Sequence, residues 1–401
     1  MRISRVVQGA AARAAMDRAE RLWAERDVPL TARAPWLRAY LDAYRDRQPV
    51  VVEIVEIAGP AGAGAGPARH GRPVAVACLG RVDGPVVEWT ALGIEVSDYT
   101  ALVAVDDDAA RRLAGAIADL VRGGRRPWRL RLEQLPAGDP VLRHLGPLLP
   151  AVTCRPGIPA LRLALSEPRV LERHLSHNAR RTVRKGWNRL ARDGHEVVVR
   201  PVRDPVGVRA VLDAVVELRR TRDRQIGRRS ELDRPDFARF YRGVLPELAA
   251  RGQVELTTLW VGDELAGYVL GFLDGSSYRM WDGRVGADWL AYSTGRLADA
   301  LALTSALADP RIRTLDWMRG EQEYKRQAMT HVVDHEHLHA WSSHALRRGY
   351  RLVLAGHRRL RRLTAPGGLR RAARRLADRV RPAQSAGDRT ASALVPTRSA
   401  S

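Results

Sequence analysis

Two periods of apolar and polar residues take turns along this chain, and the clearest alternation lies between residues 276 and 325. Over 277–285 aromatic or apolar residues alternate with polar ones, the period of a strand. A loop of Gly, Ala, Asp, Ser and Thr follows over 286–294. From Gly295 onward Leu297, Ala300, Leu301, Thr304 and Ala308 recur at helical spacing, until Asp309-Pro310 stops the helix. Residues 312–318 return to the strand period and 320–328 to a second helix. A strand that ends in a small-residue loop opening a helix leaves backbone N–H groups without partners. Ser293, Thr294, Gly295 and Arg296 stand at that helix start and suit a phosphate.

The same alternation organises the rest of the chain as α/β. The first half predicts helices over 10–25 and 35–44 and strands over 50–57, 73–78, 86–92 and 100–105. A helix over 106–121, a strand over 128–133, a short helix over 141–149 and a strand over 160–165 follow. The Gly-rich stretch 59–71 reads as a flexible surface loop. Residues 176–194 form a helix with Val183, Trp187 and Leu190 on one face and Arg181, Lys185, Asn188 and Arg192 on another. This helix is either an anion-binding surface or a solvated connector. The second half predicts a strand over 195–200, helices over 206–221 and 234–251, and a hairpin of 254–261 with 265–273. The unit described above and a strand over 332–341 complete it. Both halves share one order of elements, which implies a duplicated domain.

Composition adds location to this picture. The 401 residues carry 67 Lys and Arg against 45 Asp and Glu, a net charge of +22. Residues 347–401 hold 15 Arg and 2 Asp, and residues 172–192 hold six Arg, Lys185 and one Glu. The charge is therefore local to two segments, and the remainder is close to neutral. Lys185 and Lys325 are the only lysines. Two cysteines exclude a disulfide scaffold and a Cys-based zinc site and point to a reducing, cytoplasmic setting. Arg13, Asp17 and Arg18 interrupt every apolar run near the N-terminus, so no signal peptide is expected. No apolar run reaches the ~18 residues that a membrane span needs.

Three stretches carry a resemblance. SHNARRTVRKGWNRLARDG (176–194), WDGRVGADWLAYSTG (281–295) and LDWMRGEQEYKRQ (315–327), set in this element order, resemble the GNAT superfamily of N-acetyltransferases. The tandem pair with a basic connector is similar to the FemAB-like branch and to CelD-like acetyltransferases associated with cellulose biosynthesis. The resemblance implies an α/β (α+β) fold of two tandem GNAT domains with mixed, mostly antiparallel sheets. The expected limits are 1–168 and 195–345, joined by a connector over 169–194. It further implies acyl transfer from a thioester donor, acyl-CoA, to an amine, with no metal. The ordinary GNAT loop Gln/Arg-x-x-Gly-x-Gly/Ala is replaced here by Ala291-Tyr292-Ser293-Thr294-Gly295-Arg296.

The needs of direct acyl transfer select candidates within those stretches. Donor pyrophosphate falls to Ser293, Thr294, Gly295 and Arg296. Asp282 and Asp316, on adjacent strands in the GNAT arrangement, are candidates to take the amine proton. Tyr324 resembles the tyrosine that protonates a departing thiolate, and Lys325 sits beside it. Glu321 stands four residues before Lys325, so the two also suit a surface helix pair. Trp281 and Trp317 are candidate walls of an acceptor pocket, and Arg181, Lys185 and Glu321 candidate substrate contacts. The helix start of the first half carries Asp106, Asp107 and Asp108, which repel a pyrophosphate, so that half is expected to shape the acceptor side. His335, His337 and His339 share a strand face, for which a solvated face is expected and no metal.

Beyond residue 345, Arg-rich amphipathic helices are expected over 346–380 and a disordered tail over 381–401. The partners that follow are a small-molecule or glycan/peptidoglycan-precursor amine as acceptor, tRNA if the donor is an aminoacyl-tRNA, and an anionic membrane surface at the inner face. A membrane or assembly factor without catalysis is the non-enzymatic alternative.

Overall fold

Ala12, Ala15, Met16, Ala19, Leu22 and Trp23 fall on one face of Ala10–Glu25 and are all buried, so this stretch folds as the helix that its period predicts. The computed structural model describes residues 1–57 and 71–364, with the backbone alone at Tyr324, Leu354 and 356–364. Residues 59–70 of the loop expected over 59–71, and everything expected beyond 364, lie outside the described residues.

In chain order the first half holds β1 (Arg2–Gln8), α1 (Ala10–Glu25), α2 (Ala34–Ala43), β2 (Gln48–Glu56), β3 (Arg72–Val82), β4 (Val87–Ala91) and β5 (Leu102–Ala104). It continues with α3 (Asp107–Arg122), β6 (Trp128–Pro136), α4 (Pro140–Leu148), β7 (Thr153–Pro156) and β8 (Ala160–Ala164). Helices α5 (Leu171–His174) and α6 (His177–Arg192) connect the halves. The second half holds β9 (Val197–Val202), α7 (Pro205–Gln225), α8 (Pro235–Ala250), β10 (Val254–Val261), β11 (Glu264–Asp274) and β12 (Ser277–Val285). Then come α9 (Thr294–Ala308), β13 (Thr314–Arg319), α10 (Glu323–Arg326), β14 (His331–Val333) and β15 (His335–Trp341). Residues Met1–His344 form one compact unit; a second begins at Ala345, and helix α11 (His344–Thr364) is its described part.

Two mixed sheets run in the orders β1-β2-β3-β4-β6-β15-β7 and β9-β10-β11-β12-β13-β8-β14, with β5 on β3. The halves exchange a strand each. β15, from the end of the chain, lies antiparallel between β6 and β7 of the first sheet. β8, from the first half, lies antiparallel between β13 and β14 of the second. Two strands thus cross the limits expected at 168 and 195.

Several elements differ from the sequence reading. The single strand expected over 332–341 is two strands in different sheets. The strand over 160–165 lies inside the second sheet, not in the first. The helix over 320–328 is one turn. β1 and β7 carried no signal, since β1 exposes Val6 and half-buries Arg5, against the expected alternation, and β7 is only four long.

An aromatic cluster ties the halves beside the second sheet. The Trp36 ring on α2 meets Phe240 at 4.9 Å, Trp281 at 5.1 Å and Phe272 at 5.4 Å between centroids, all edge-on. Trp281 is thereby fixed from both halves.

Candidate active site

β12 and β13 are parallel and pair over three positions only, Ser277↔Thr314, Tyr278↔Leu315 and Arg279↔Asp316. β12 then follows β11 as far as Val285, with Trp281 bulged between the pairs Gly271↔Met280 and Leu270↔Asp282. β13 leaves in the other direction, slipping register against β8 after Asp316 and turning at Met318, whose φ is +57°. A cleft of about 640 Å³ lies between the parting strands.

Among the described residues of the first half, the corresponding strands are covered. There β4 and β6 pair from Val87↔Trp128 to Thr90↔Arg131. The segment after β4 then closes over β6, with the Thr100 hydroxyl donating to the Glu133 carbonyl at 2.5 Å and the Thr100 N–H to the Gln134 carbonyl at 3.2 Å. That closing segment reaches the other cleft as well. Asp98 lines it, and Tyr99 donates to Asp316 at 2.8 Å.

Lys325 lies at the parting edge of β13. It is 6% exposed, and its Nζ donates to the carbonyls of Trp317 at 3.0 Å and Arg319 at 3.3 Å. An ammonium has three protons, so one remains for the cleft that Lys325 lines. Burial lowers its pKa against the pull of Asp98, Asp299 and Asp316. Asp98 is half-buried, with Oδ1 paired to Arg319 Nε at 2.6 Å. Burial raises its pKa, with Arg319 and Lys325 opposing. Asp299, on α9, is pushed up to about 6 by burial, again against Arg296 and Lys325. Arg222, Arg228 and Arg284 complete the cationic lining.

The floor of the cleft meets the start of α9. The N–H groups of Arg296 and Leu297 already bond to the Ser293 carbonyl, at 2.9 and 3.2 Å. Those of Thr294 and Gly295 stand ahead of them at the positive end of the helix dipole. Ser293 holds this start in the left-handed region at φ +57°. The connector α6 packs directly beneath. A Cβ on Gly186 would lie 2.5 Å from the Tyr292 carbonyl oxygen, and the Arg189 guanidinium donates to the Ala291 carbonyl.

This wedge, with a helix start at its floor, is where sequence comparison also points: a family described as Acetyltransferase (GNAT) domain matches residues 177–326. The chain carries a GNAT transferase domain. That domain takes in α6 and every cleft-lining residue named above except Asp98. Among curated proteins none matches the chain. Of solved structures, FemX superposes with a TM-score of 0.58 at 10% identity, over 84% of this chain and 98% of its own, which extends the fold likeness to both halves. A tandem GNAT protein from the clavulanic acid biosynthesis pathway gives 0.43 at 17% identity, over 85% and 99% of the two chains. The C-terminal domain of a putative lysylphosphatidylglycerol synthetase from Agrobacterium fabrum gives 0.45 at 13%, over 67% and 82%.

Within the GNAT domain the structure brings together Trp281, Asp282, Gly295, Arg296, Trp317 and Lys325, all of which line the cleft. Other expectations are corrected. Asp282 is no free base: its Oδ2 accepts from Tyr268, Tyr241 and Arg219 at 2.8, 3.1 and 3.0 Å, and its Oδ1 from the N–H of Gly283 and from Arg284. Asp316 is fully buried, with Oδ1 held by Tyr99 and the Met318 N–H and Oδ2 by Arg162 and Arg279. Two such saturated carboxylates are joints of the fold. Thr294 is buried and its hydroxyl donates to the Trp289 carbonyl at 2.8 Å, while Ser293 stands off the cleft. Glu321 is exposed and pairs with Arg326, so the expected pair with Lys325 does not form. Arg181 and Lys185 lie on the exposed face of α6, outside the cleft. Tyr324 belongs to α10, and its side chain is outside the described residues.

The three histidines of β15 are engaged one by one, not solvated. His335 stacks on Tyr99 at 4.9 Å, His337 Nδ1 accepts from the Gln134 N–H at 2.9 Å, and His339 Nε2 meets Glu133 at 2.8 Å. In the first half, Asp106 caps α3 by accepting from the Ala109 N–H, and Arg2 and Arg143 pair with Asp106, Asp108 and Asp107. Asp98 and Asp299 were missed by sequence reasoning. Asp98 sits some 200 residues from the strands it serves, and Asp299 reads as an ordinary helical residue.

Proposed function

We propose that the protein transfers an acyl group from acyl-CoA to a primary amine within the β12–β13 cleft. The observation that carries this reading is the parting of those strands after three pairs around a cleft, whereas in the first half the segment after β4 closes over β6. The donor pyrophosphate rests at Thr294–Arg296, and its thioester arm lies between the strands. The amine nitrogen attacks the thioester carbon as its proton passes to Asp98, whose second oxygen is uncommitted. The C–S bond breaks, and the third proton of Lys325 stabilises the oxyanion and then the leaving thiolate. The first half supplies Asp98 and the acceptor wall and binds no nucleotide.

Calorimetric titration with CoA, acetyl-CoA and longer acyl-CoAs tests the donor. Saturable micromolar binding is expected, and its absence sinks the reading. Acetyl transfer to a panel of amines, including amino sugars and peptidoglycan-precursor peptides, then identifies the acceptor class.

Arg222 and Arg228 line the cleft without an ion pair among the described residues, which favours a second reading, an aminoacyl-tRNA donor. Gel shifts with tRNA at two salt concentrations address it, since phosphate contacts weaken steeply with salt. No described helix is long and apolar enough to cross a membrane. In α11, Leu352 and Val353 are exposed beside Arg347, Arg348 and Arg351, an arrangement that suits an anionic membrane surface. Co-sedimentation with phosphatidylglycerol vesicles measures that association.

A further inference from the structure

Asp299 stands apart from the other carboxylates of the cleft. Asp282 receives five hydrogen bonds and Asp98 pairs with Arg319. The Asp299 side chain has neither a hydrogen bond nor an ion pair among the described residues. It projects from α9 one turn beyond Gly295, where the main cleft meets a small apolar pocket of about 30 Å³. Asp299, Arg296 and Trp317 line both spaces, so they form a waist between them.

The charged groups that face Asp299 are few. Arg296 comes from its own helix and Lys325 from α10. Arg222 from α7, Arg228 after it, Asp282 and Arg284 from β12, Arg319 from β13 and Asp98 from the first half share the cleft at its other walls. What α6 and the turn before it bring to the waist, Leu175, Ser176 and Ala179, is uncharged. β11 presents Val269. Burial outweighs the two nearby cations and pushes the carboxyl up to about 6.

On the acyl-CoA reading, a donor whose phosphates rest at the start of α9 draws Arg296 to itself and covers the waist. Asp299 then loses one of its two cations together with its remaining water. Both changes favour the uncharged acid. We propose that Asp299 binds the donor as a neutral carboxylic acid, giving a hydrogen bond to the amide-bearing arm and taking one proton from solvent as the donor enters.

The test is titration of the full-length protein with CoA in buffers of low and high ionisation enthalpy, between pH 6.5 and 8.5. Wild type should take up close to one proton per CoA beyond that due to the ligand's own phosphate. Its Kd should then weaken by up to about tenfold per pH unit. Asp299→Asn keeps a hydrogen-bond donor but cannot titrate. It should bind CoA with only the phosphate's pH dependence, and the difference between the two proteins is the readout. Binding by wild type with no excess proton uptake, or an unchanged pH slope in the Asn variant, overturns the proposal alone. No CoA binding at any pH overturns both it and the donor assignment. The wild-type proton count needs no variant, so a poorly folded substitution would not leave the matter open.

Discussion

Tyr99, from the first half of the chain, donates its hydroxyl to Asp316 Oδ1 at 2.8 Å, 217 residues away in the second half. The acceptor oxygen is fully buried, at the last position where β12 and β13 still pair. The bond therefore holds the loop of one half at the point where the strands of the other part. Tyr99→Phe should cost about 1–3 kcal/mol in denaturant unfolding, the range for a hydrogen bond to a buried charge. Asp316→Asn should cost more, about 3–5 kcal/mol, because it leaves Arg279 and Arg162 without their shared counter-charge. A smaller loss in the second variant than in the first would contradict the role given to Asp316.

Lys325 offers a contrast between stability and activity. Replacing this buried ammonium with methionine should leave thermal stability unchanged or slightly raised, because desolvation of the charge is removed with it. Acyl transfer should fall by roughly 10²–10³ in kcat, the loss typical of one oxyanion donor. If kcat stays within a few-fold of wild type, the lysine is structural.

Asp98 must be ionised to accept the amine proton, and burial raises its pKa. The rate should therefore be highest above that pKa and fall as pH drops through it. Asp98→Asn should lower kcat and remove that acidic limb, while leaving CoA affinity within about threefold. An unaltered pH profile in the variant would assign the limb to another group.

Gly186 lets the connector approach the start of α9. A Cβ there would sit 2.5 Å from the Tyr292 carbonyl oxygen and 3.3 Å from Leu297. Gly186→Val should push α6 away, costing about 1–3 kcal/mol. It should also weaken CoA binding although residue 186 touches no ligand. Retention of full affinity would separate the connector from the phosphate site.

A hydrogen bond from His339 holds Glu133 down at about 2. A carboxylate depressed in the folded state stabilises above its unfolded pKa, and that contribution is lost as pH falls through the folded value. Acid unfolding should begin at higher pH in His339→Leu than in wild type, as followed by far-UV circular dichroism.

Much of the element order was legible because period and punctuation are local. α1 begins and ends where its apolar stripe does, and α9 runs from the expected loop to Asp309. The wedge was legible as a strand–loop–helix unit of a recognisable kind. The charges were not. Asp282 and Asp316 stand on the strands where a base was expected, but their partners Arg219, Tyr241, Tyr99 and Arg162 are 41 to 217 residues distant. Nothing in the local sequence tells a saturated carboxylate from an open one. Asp98 shows the converse, a loop residue whose chemistry depends on a strand of the other half. The fate of β8 was hidden for the same reason, since its apolar pattern fits either sheet.

The reciprocal placement of β8 and β15 has a consequence during synthesis. The first sheet lacks its sixth strand until residue 341 has left the ribosome, so β6 waits as an open edge while almost the whole chain is made. The two halves cannot mature one after the other in the usual N-to-C sequence; they close together. Proteolytic nicking near residue 168 should accordingly yield two fragments that remain bound until denatured.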